Sequence, residues 1–155
     1  MNIEDKSMQI AKASMYEFFQ ALSDPYRIRI VGLMLRTKSE VCLCELAESL
    51  GEPEYKLSRH IKVLKNVGLV SSIRDGKWIY HSLVSADKYQ RAVHEAIRFF
   101  PGHKSEFEND FSRFKRRAMV GDAGSPRLAE AARRNLRGRH SETKSLRNFK
   151  DGLPE

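Results

Sequence analysis

Apolar residues return every three or four positions at Met8, Ala11, Met15, Phe18 and Leu22, which predicts a first amphipathic helix. Ser23-Asp24-Pro25 interrupts that stripe. Asp24 suits a helix N-cap and Pro25 the first position of a second helix, carried by Ile28, Val31 and Leu35. A third, short helix is expected over roughly Cys44 to Leu50, stopped by Gly51. Pro53 opens a fourth that runs to about Val67, with Gly68 after it. Two β-rich runs, LVSSIR and KWIYHSLV, are then joined by Asp75-Gly76, a strong short-range hairpin signal. Ser85 is expected to cap a fifth helix with Tyr89, Val93, Ala96, Ile97 and Phe100 on one face. Only Gly51-Glu52-Pro53 separates helices three and four. The order predicts a mainly α fold with a β-hairpin wing, a winged helix-turn-helix of the form α-α-α-α-β-β-α.

Charge adds a partner to this picture. The 155 residues carry 28 Lys+Arg against 20 Asp+Glu, a formal +8, which favours an anionic partner, most simply nucleic acid. The excess is uneven: +3 over residues 1–101 and +5 over residues 102–155. Pro101-Gly102 marks the break. Residues 1–101 are read as the DNA-binding and dimerisation domain. Residues 102–155 are read as a basic extension: a short amphipathic helix on Phe107, Phe111 and Phe114, then a largely disordered segment. Arg133, Arg134, Arg137 and Arg139 would there add nonspecific phosphate contacts. No apolar run approaches the roughly 18 residues of a membrane span, and the first residues lack a signal-peptide core. The expectation is a cytoplasmic protein without a membrane partner. Two cysteines exclude a disulfide-dense scaffold and a four-thiolate zinc site within one chain.

Helical geometry assigns the fourth helix its faces. With Leu57 as reference, Ile61 and Leu64 complete a buried stripe. Tyr55, Arg59, Lys62 and Asn66 lie opposite, with Ser58 nearby and Lys56 and Lys65 at the flanks. Arg and Asn can make bidentate contacts to base edges, while Lys, Ser and Tyr mostly hold phosphates. The candidate DNA contacts are therefore Tyr55, Lys56, Ser58, Arg59, Lys62 and Asn66 on the helix, and Arg74 and Lys77 on the wing. His60 falls nearer the apolar stripe and is read as a packing residue. Glu54 either serves the helix dipole or accepts from a cytosine amino group. Double-stranded operator DNA is the expected partner. Helix-turn-helix repressors read paired half-sites as symmetric dimers, and the stripes on helices one and five exceed what a small core needs. They are the candidate homodimer surfaces.

Cys42 and Cys44 stand in EVCLCEL, where the third helix begins. Soft thiolates select soft ions. Residues i and i+2 of a regular helix point about 200° apart, so joint chelation is expected to need non-helical backbone. Binding of such an ion is then expected to unwind or reshape the start of helix three and displace helix four.

Four stretches, ALSDPYRIRIVGLM, EVCLCELAESL, KLSRHIKVLKNVGLV and RDGKWIYHSL, resemble in order the ArsR/SmtB family of thiol- and metal-responsive winged-helix repressors. The resemblance covers about residues 10–100. EVCLCEL is similar to the Cys-Val-Cys box of the arsenite-responsive branch. The resemblance implies a homodimeric repressor released when As(III) or Sb(III) binds Cys42 and Cys44, with no cofactor needed for DNA binding. Two departures matter. Some members carry a third cysteine where Ala47 stands, so water, hydroxide or an exogenous thiol is the expected third ligand. Members of the cadmium/lead branch add N-terminal cysteines, which this chain lacks. The zinc branch's last-helix pairs are also incomplete: His103 and Glu106 have no Asp-x-His partner upstream. Alternatives are a Cd(II)/Pb(II) sensor, or a redox sensor acting through sulfenic acid or a disulfide at the Cys pair, the latter strained over two residues. Enzyme chemistry is not expected. There is no phosphate-binding Gly loop, and a phosphatase-like Cys-x5-Arg loop fails because positions 48 and 50 are Glu and Leu.

Overall fold

The computed structural model describes residues 13–120. Among the described residues, six helices and a three-stranded antiparallel sheet run in the order α1 (Met15–Leu22), α2 (Pro25–Thr37), β1 (Val41–Cys42), α3 (Leu43–Leu50), α4 (Glu54–Asn66), β2 (Val70–Asp75), β3 (Trp78–Leu83), α5 (Lys88–Phe99) and α6 (Lys104–Val120). This is the winged helix arrangement. Met8 and Ala11, expected in the first helix, lie outside the described residues.

The helix starts follow from side-chain chemistry. Ser14 and Glu17 form a capping box at α1, the Ser14 N–H donating to the Glu17 carboxylate at 2.7 Å. Asp24 accepts from the Tyr26 and Arg27 N–H groups at α2, with Pro25 first in the helix. Ser85 does not cap α5. The cap is Asp87, whose N–H donates to Gln90 Oε1 at 3.0 Å. Gln90 is fully buried and also donates to the Gly68 carbonyl at 3.0 Å. That second bond fixes α5 to the turn after α4, which Ser85, two residues earlier, has no means to do.

Packing extends well beyond the expected stripe of α2. Ile30, Val31, Leu33 and Met34 are all buried, because α2 is covered on several sides. With Leu46, Leu57, Leu64, Leu69 and Tyr80 they form the core. Burying one such side chain is worth about 1.5–3 kcal/mol.

The sheet order is β1-β3-β2. β2 and β3 form the Asp75-Gly76 hairpin, with Gly76 at φ +60, a conformation that favours glycine. Strand β1 was not part of the expected fold. It pairs Val41 with His81 and Cys42 with Tyr80, and so ties the cysteine segment to the base of the wing.

His81 is buried in β3, with Nδ1 2.7 Å from Ser72 Oγ across the hairpin. Burial, reinforced by the Lys65 charge, pushes its pKa down to about 4 from the ordinary 6.5. The unfolded chain therefore takes up this proton first as pH falls. Stability from His81 is complete above pH 6.5, declines through that point and levels off near pH 4. Between pH 7.5 and 5 the wild type is expected to lose about 2 kcal/mol more than a His81→Asn variant. Urea unfolding at both pH values checks this; parallel losses in the two proteins would refute it.

The chain divides into two units between Lys115 and Arg116. The first therefore continues past Pro101-Gly102 and takes in most of α6. Phe107 and Phe114 are buried and Phe111 is half-buried. The Phe107 ring lies where a Cβ on Gly32 would be, 2.8 Å from that position. A glycine inside a helix costs about 1 kcal/mol relative to alanine, and here it admits an aromatic ring against the α2 backbone. The arginine-rich positions 133–139 fall outside the described residues.

Candidate DNA interface and thiol pair

Helix α4 divides cleanly into two faces. Leu57, Ile61 and Leu64 are buried. Tyr55, Ser58, Arg59, Lys62 and Asn66 are exposed, as are Arg74 and Lys77 on the wing. The Arg59 guanidinium lies 6.0 Å from the centroid of the Tyr55 ring, and Lys77 Nζ lies 5.3 Å from that of Trp78. Such contacts restrain long cationic side chains while leaving their donors outward.

Lys56 is arranged differently. Its Nζ is 3.0 Å from Glu52 Oε2 and 3.7 Å from the centroid of the Tyr26 ring. It bridges the start of α4 to α2. His60 stacks on the same Tyr26 ring at 5.5 Å and sits 3.7 Å from Asp24 Oδ1. Burial lowers its pKa, which agrees with a packing role. Glu54, the first residue of α4, is exposed.

The cysteines meet at the start of α3. Cys42 is the N-cap, in extended conformation at φ −92 and ψ 165, and Cys44 is the second residue of the helix. Their Sγ atoms are 2.7 Å apart. The non-helical backbone expected for joint chelation is present at Cys42. The 200° divergence applies to two residues inside a helix, and Cys42 stands before it. The Cys42 N–H donates to Glu45 Oε2 at 2.8 Å, so Glu45 fixes this backbone. Cys42 is buried and Cys44 half-buried. Burial pushes the Cys42 thiol well above its ordinary pKa, and the contact with Cys44 and the Glu45 charge add to the effect. Cys42 is therefore a protonated thiol at neutral pH. Among the described residues no group of three or more His, Cys, Asp or Glu is placed to hold a metal ion. His103 and Glu106 form a solvent-exposed pair at 3.4 Å.

A buried charge cluster, unmarked by any sequence motif, grips the other end of α3. Asp110 of α6 is almost fully buried and takes a bidentate contact from Arg29 of α2, at 2.8 and 3.0 Å. Arg29 also donates to the Leu50 carbonyl at 2.9 Å. Arg113 bonds both Asp110 and the Ser49 carbonyl. These are terminal carbonyls of α3, which lack partners within the helix. The helix-turn-helix is thus held from behind by α2 and α6 together.

Helices α1 and α5 leave Met15, Phe19, Tyr89, Phe99 and Phe100 exposed. Between them lies an apolar cavity of about 300 Å³ bounded by Phe19, Val93, Ala96 and Phe100.

Residues 24–72 match the family model described as bacterial regulatory protein, arsR family. That segment contains both cysteines and every α4 candidate. An HTH-type transcriptional regulator of Methanocaldococcus jannaschii is 32% identical over 68 residues, 44% of this chain and 75% of that one. The chain belongs to the arsR family. The arsenical resistance operon repressor of Escherichia coli is 36% identical to this ArsR-family regulator over 67 residues, 43% of this chain and 56% of that one. A transcriptional repressor, an SmtB homolog from Synechocystis, is 34% identical over 82 residues, 52% and 61% of the two chains. The regulator thus spans little more than half the length of these two repressors. Among solved structures, reduced HlyU from Vibrio cholerae aligns with a TM-score of 0.49 at 21% identity, over 66% of this chain and all of that one. These relatives are transcriptional regulators, not enzymes. No helix among the described residues is long and apolar enough to cross a membrane.

Proposed function

We propose that this ArsR-family regulator is a cytoplasmic homodimeric repressor that binds operator DNA and is released when As(III) or Sb(III) joins Cys42 and Cys44. The carrying observation is the pair of sulfurs 2.7 Å apart at the first turn of α3, the helix that precedes α4 in the helix-turn-helix. An ion with metal–sulfur bonds of about 2.3 Å and a bond angle near 90° spans sulfurs about 3.3 Å apart. Binding engages both sulfurs beside the Cys42 N-cap, and α3 carries the change to α4. Linkage requires DNA to weaken inducer binding by the same factor.

The protonated Cys42 thiol favours arsenous acid over Cd(II). Each S–H that meets an As–OH forms an As–S bond and releases water, so no net proton is expelled. A divalent cation must instead displace protons from both thiols. Two thiols supply two of three pyramidal positions, and hydroxide or an external thiol supplies the third.

On DNA, Tyr55, Ser58, Arg59, Lys62 and Asn66 face the major groove, and Arg74 and Lys77 follow the adjacent backbone. Lys56 supports this face through Glu52 and Tyr26. The dimer forms through the α1/α5 apolar face, since exposed patches of this kind mark association surfaces. Replacing Arg59 by alanine is expected to weaken operator affinity about 5- to 150-fold, the range for a base-reading arginine. Fluorescence anisotropy on DNA selected by the protein from a random pool measures this. Affinity unchanged within twofold would remove Arg59 from the interface. The inducer assignment is tested by titrating the DNA complex with arsenite, antimonite, cadmium, zinc and peroxide. Release by arsenite and antimonite ahead of the others is expected; release by peroxide alone would establish the redox alternative instead.

A further inference from the structure

Cys42 holds three positions at once. It is the last residue of β1, the N-cap of α3 and one of the two converging thiols. Across the sheet it stands opposite Tyr80 of β3, as Val41 stands opposite His81. All four residues are buried. β3 is the central strand, with β1 on one side and β2 on the other. The pairing continues through it: His81 Nδ1 lies 2.7 Å from Ser72 Oγ of β2, and Tyr80 stands opposite Ile73. The thiol segment is thus in register with the middle of the wing.

The wing is held at two levels. At its base only residues 67–69 separate α4 from β2, and the Val84 N–H donates to the Leu69 carbonyl at 2.9 Å. Higher up, β1 accompanies β3 only as far as the Cys42–Tyr80 pair, because the chain there turns into α3. Arg74, Lys77 and Ile79 lie beyond this last pair and are exposed. Strand twist accumulates from pair to pair, so the last pair sets the direction of the overhanging tip. β1 is two residues long, shorter than the usual strand of about 3–10, and little structure opposes a change in its backbone. Coupling between two sites needs an element that both can bias. Cys42 is such an element, since one pair of backbone angles ends the strand, caps the helix and aims a sulfur.

We propose that the wing is a second output of the thiol pair: occupation of Cys42 and Cys44 shifts the Cys42–Tyr80 pair and withdraws Arg74 and Lys77 from the DNA backbone. This rests on the thiol pair being the As(III) site, and it names contacts that release gives up besides those of α4. Each phosphate contact contributes about 0.9 to the slope of log affinity against log salt. Two such contacts make the wing's share about 1.8 per protomer. Lys62 of α4 also meets phosphate, so the wing's share is isolated by removing it.

Two measurements on the whole chain test this. Trp78, at the tip, is the only tryptophan, so 5-fluorotryptophan labelling gives a single 19F signal from the wing. In the absence of DNA, arsenite is expected to shift that signal until one equivalent is bound, and to leave it unchanged in the Cys42→Ser, Cys44→Ser double variant. Operator affinity is then measured against salt with and without arsenite. Arsenite is expected to lower the slope by about 1.8 per protomer more in the wild type than in the Arg74→Gln, Lys77→Gln double variant. An equal fall in both proteins would overturn the proposal and assign release to α4 alone. A Trp78 signal unmoved at saturating arsenite, with arsenic bound to sulfur by X-ray absorption, would overturn it while the thiol site stands. Arsenic that never reaches sulfur would remove the thiol site and the proposal together, so the two failures are distinct.

Discussion

Asp110→Ala is expected to destabilise the protein by about 3–5 kcal/mol, the range for removing one partner of a buried ion pair. Asp110 is only 1% exposed and receives both Arg29 and Arg113. Alanine leaves two guanidinium groups facing a cavity that no carboxylate fills. The damage also spreads beyond α6. Arg29 and Arg113 donate to the Leu50 and Ser49 carbonyls, and once freed from Asp110 they lose the geometry that aims them there. The last turn of α3 and the connection into α4 should then loosen. Glu106→Gln is the internal control, because Glu106 approaches the same Arg29 at 3.5 Å but its side chain is 44% exposed. An exposed pair of that kind contributes at most about 1 kcal/mol. Urea unfolding of the three proteins at one fixed concentration separates the cases. A loss below 1 kcal/mol for Asp110→Ala would show that α6 does not hold the helix-turn-helix.

The second large effect concerns release, not folding. Cys42→Ser and Cys44→Ser are each expected to leave operator affinity within about twofold of wild type, since neither residue lies on the exposed face of α4. Both should lose arsenite-driven release. The coupling at stake is typically about 1–3 kcal/mol, or roughly 5- to 150-fold in operator affinity. Serine preserves the N-cap at position 42, so the Cys42 N–H bond to Glu45 can persist. Anisotropy with and without arsenite gives both quantities. Full inducibility of the double variant would exclude the thiol pair as sensor.

The features legible in the sequence were those with a local cause. Asp24-Pro25, the Gly51 stop and the Asp75-Gly76 turn announce themselves within a few residues, and each stands where the pattern put it. The exposed and buried faces of α4 followed from helical periodicity alone. Three features were not legible, for physical reasons. Strand β1 is two residues long, too short for alternation to register, and it exists because β3 lies alongside. The α5 cap depends on Gln90 reaching the Gly68 carbonyl, so Ser85 and Asp87 could not be distinguished by their own preferences. The Arg29–Asp110 pair joins residues 81 positions apart, beyond any local pattern. The Cys pair is a mixed case. Its spacing was plain, but helix boundaries shift by one or two residues. Cys42 stands just before the helix, where its thiol can turn toward Cys44.

X-ray absorption at the arsenic edge on the 155-residue chain with one equivalent of arsenite tests the central claim most directly. The account predicts two sulfur neighbours per arsenic in the wild type, and oxygen neighbours alone in the Cys42→Ser, Cys44→Ser double variant. Arsenic surrounded only by oxygen in the wild type would contradict it.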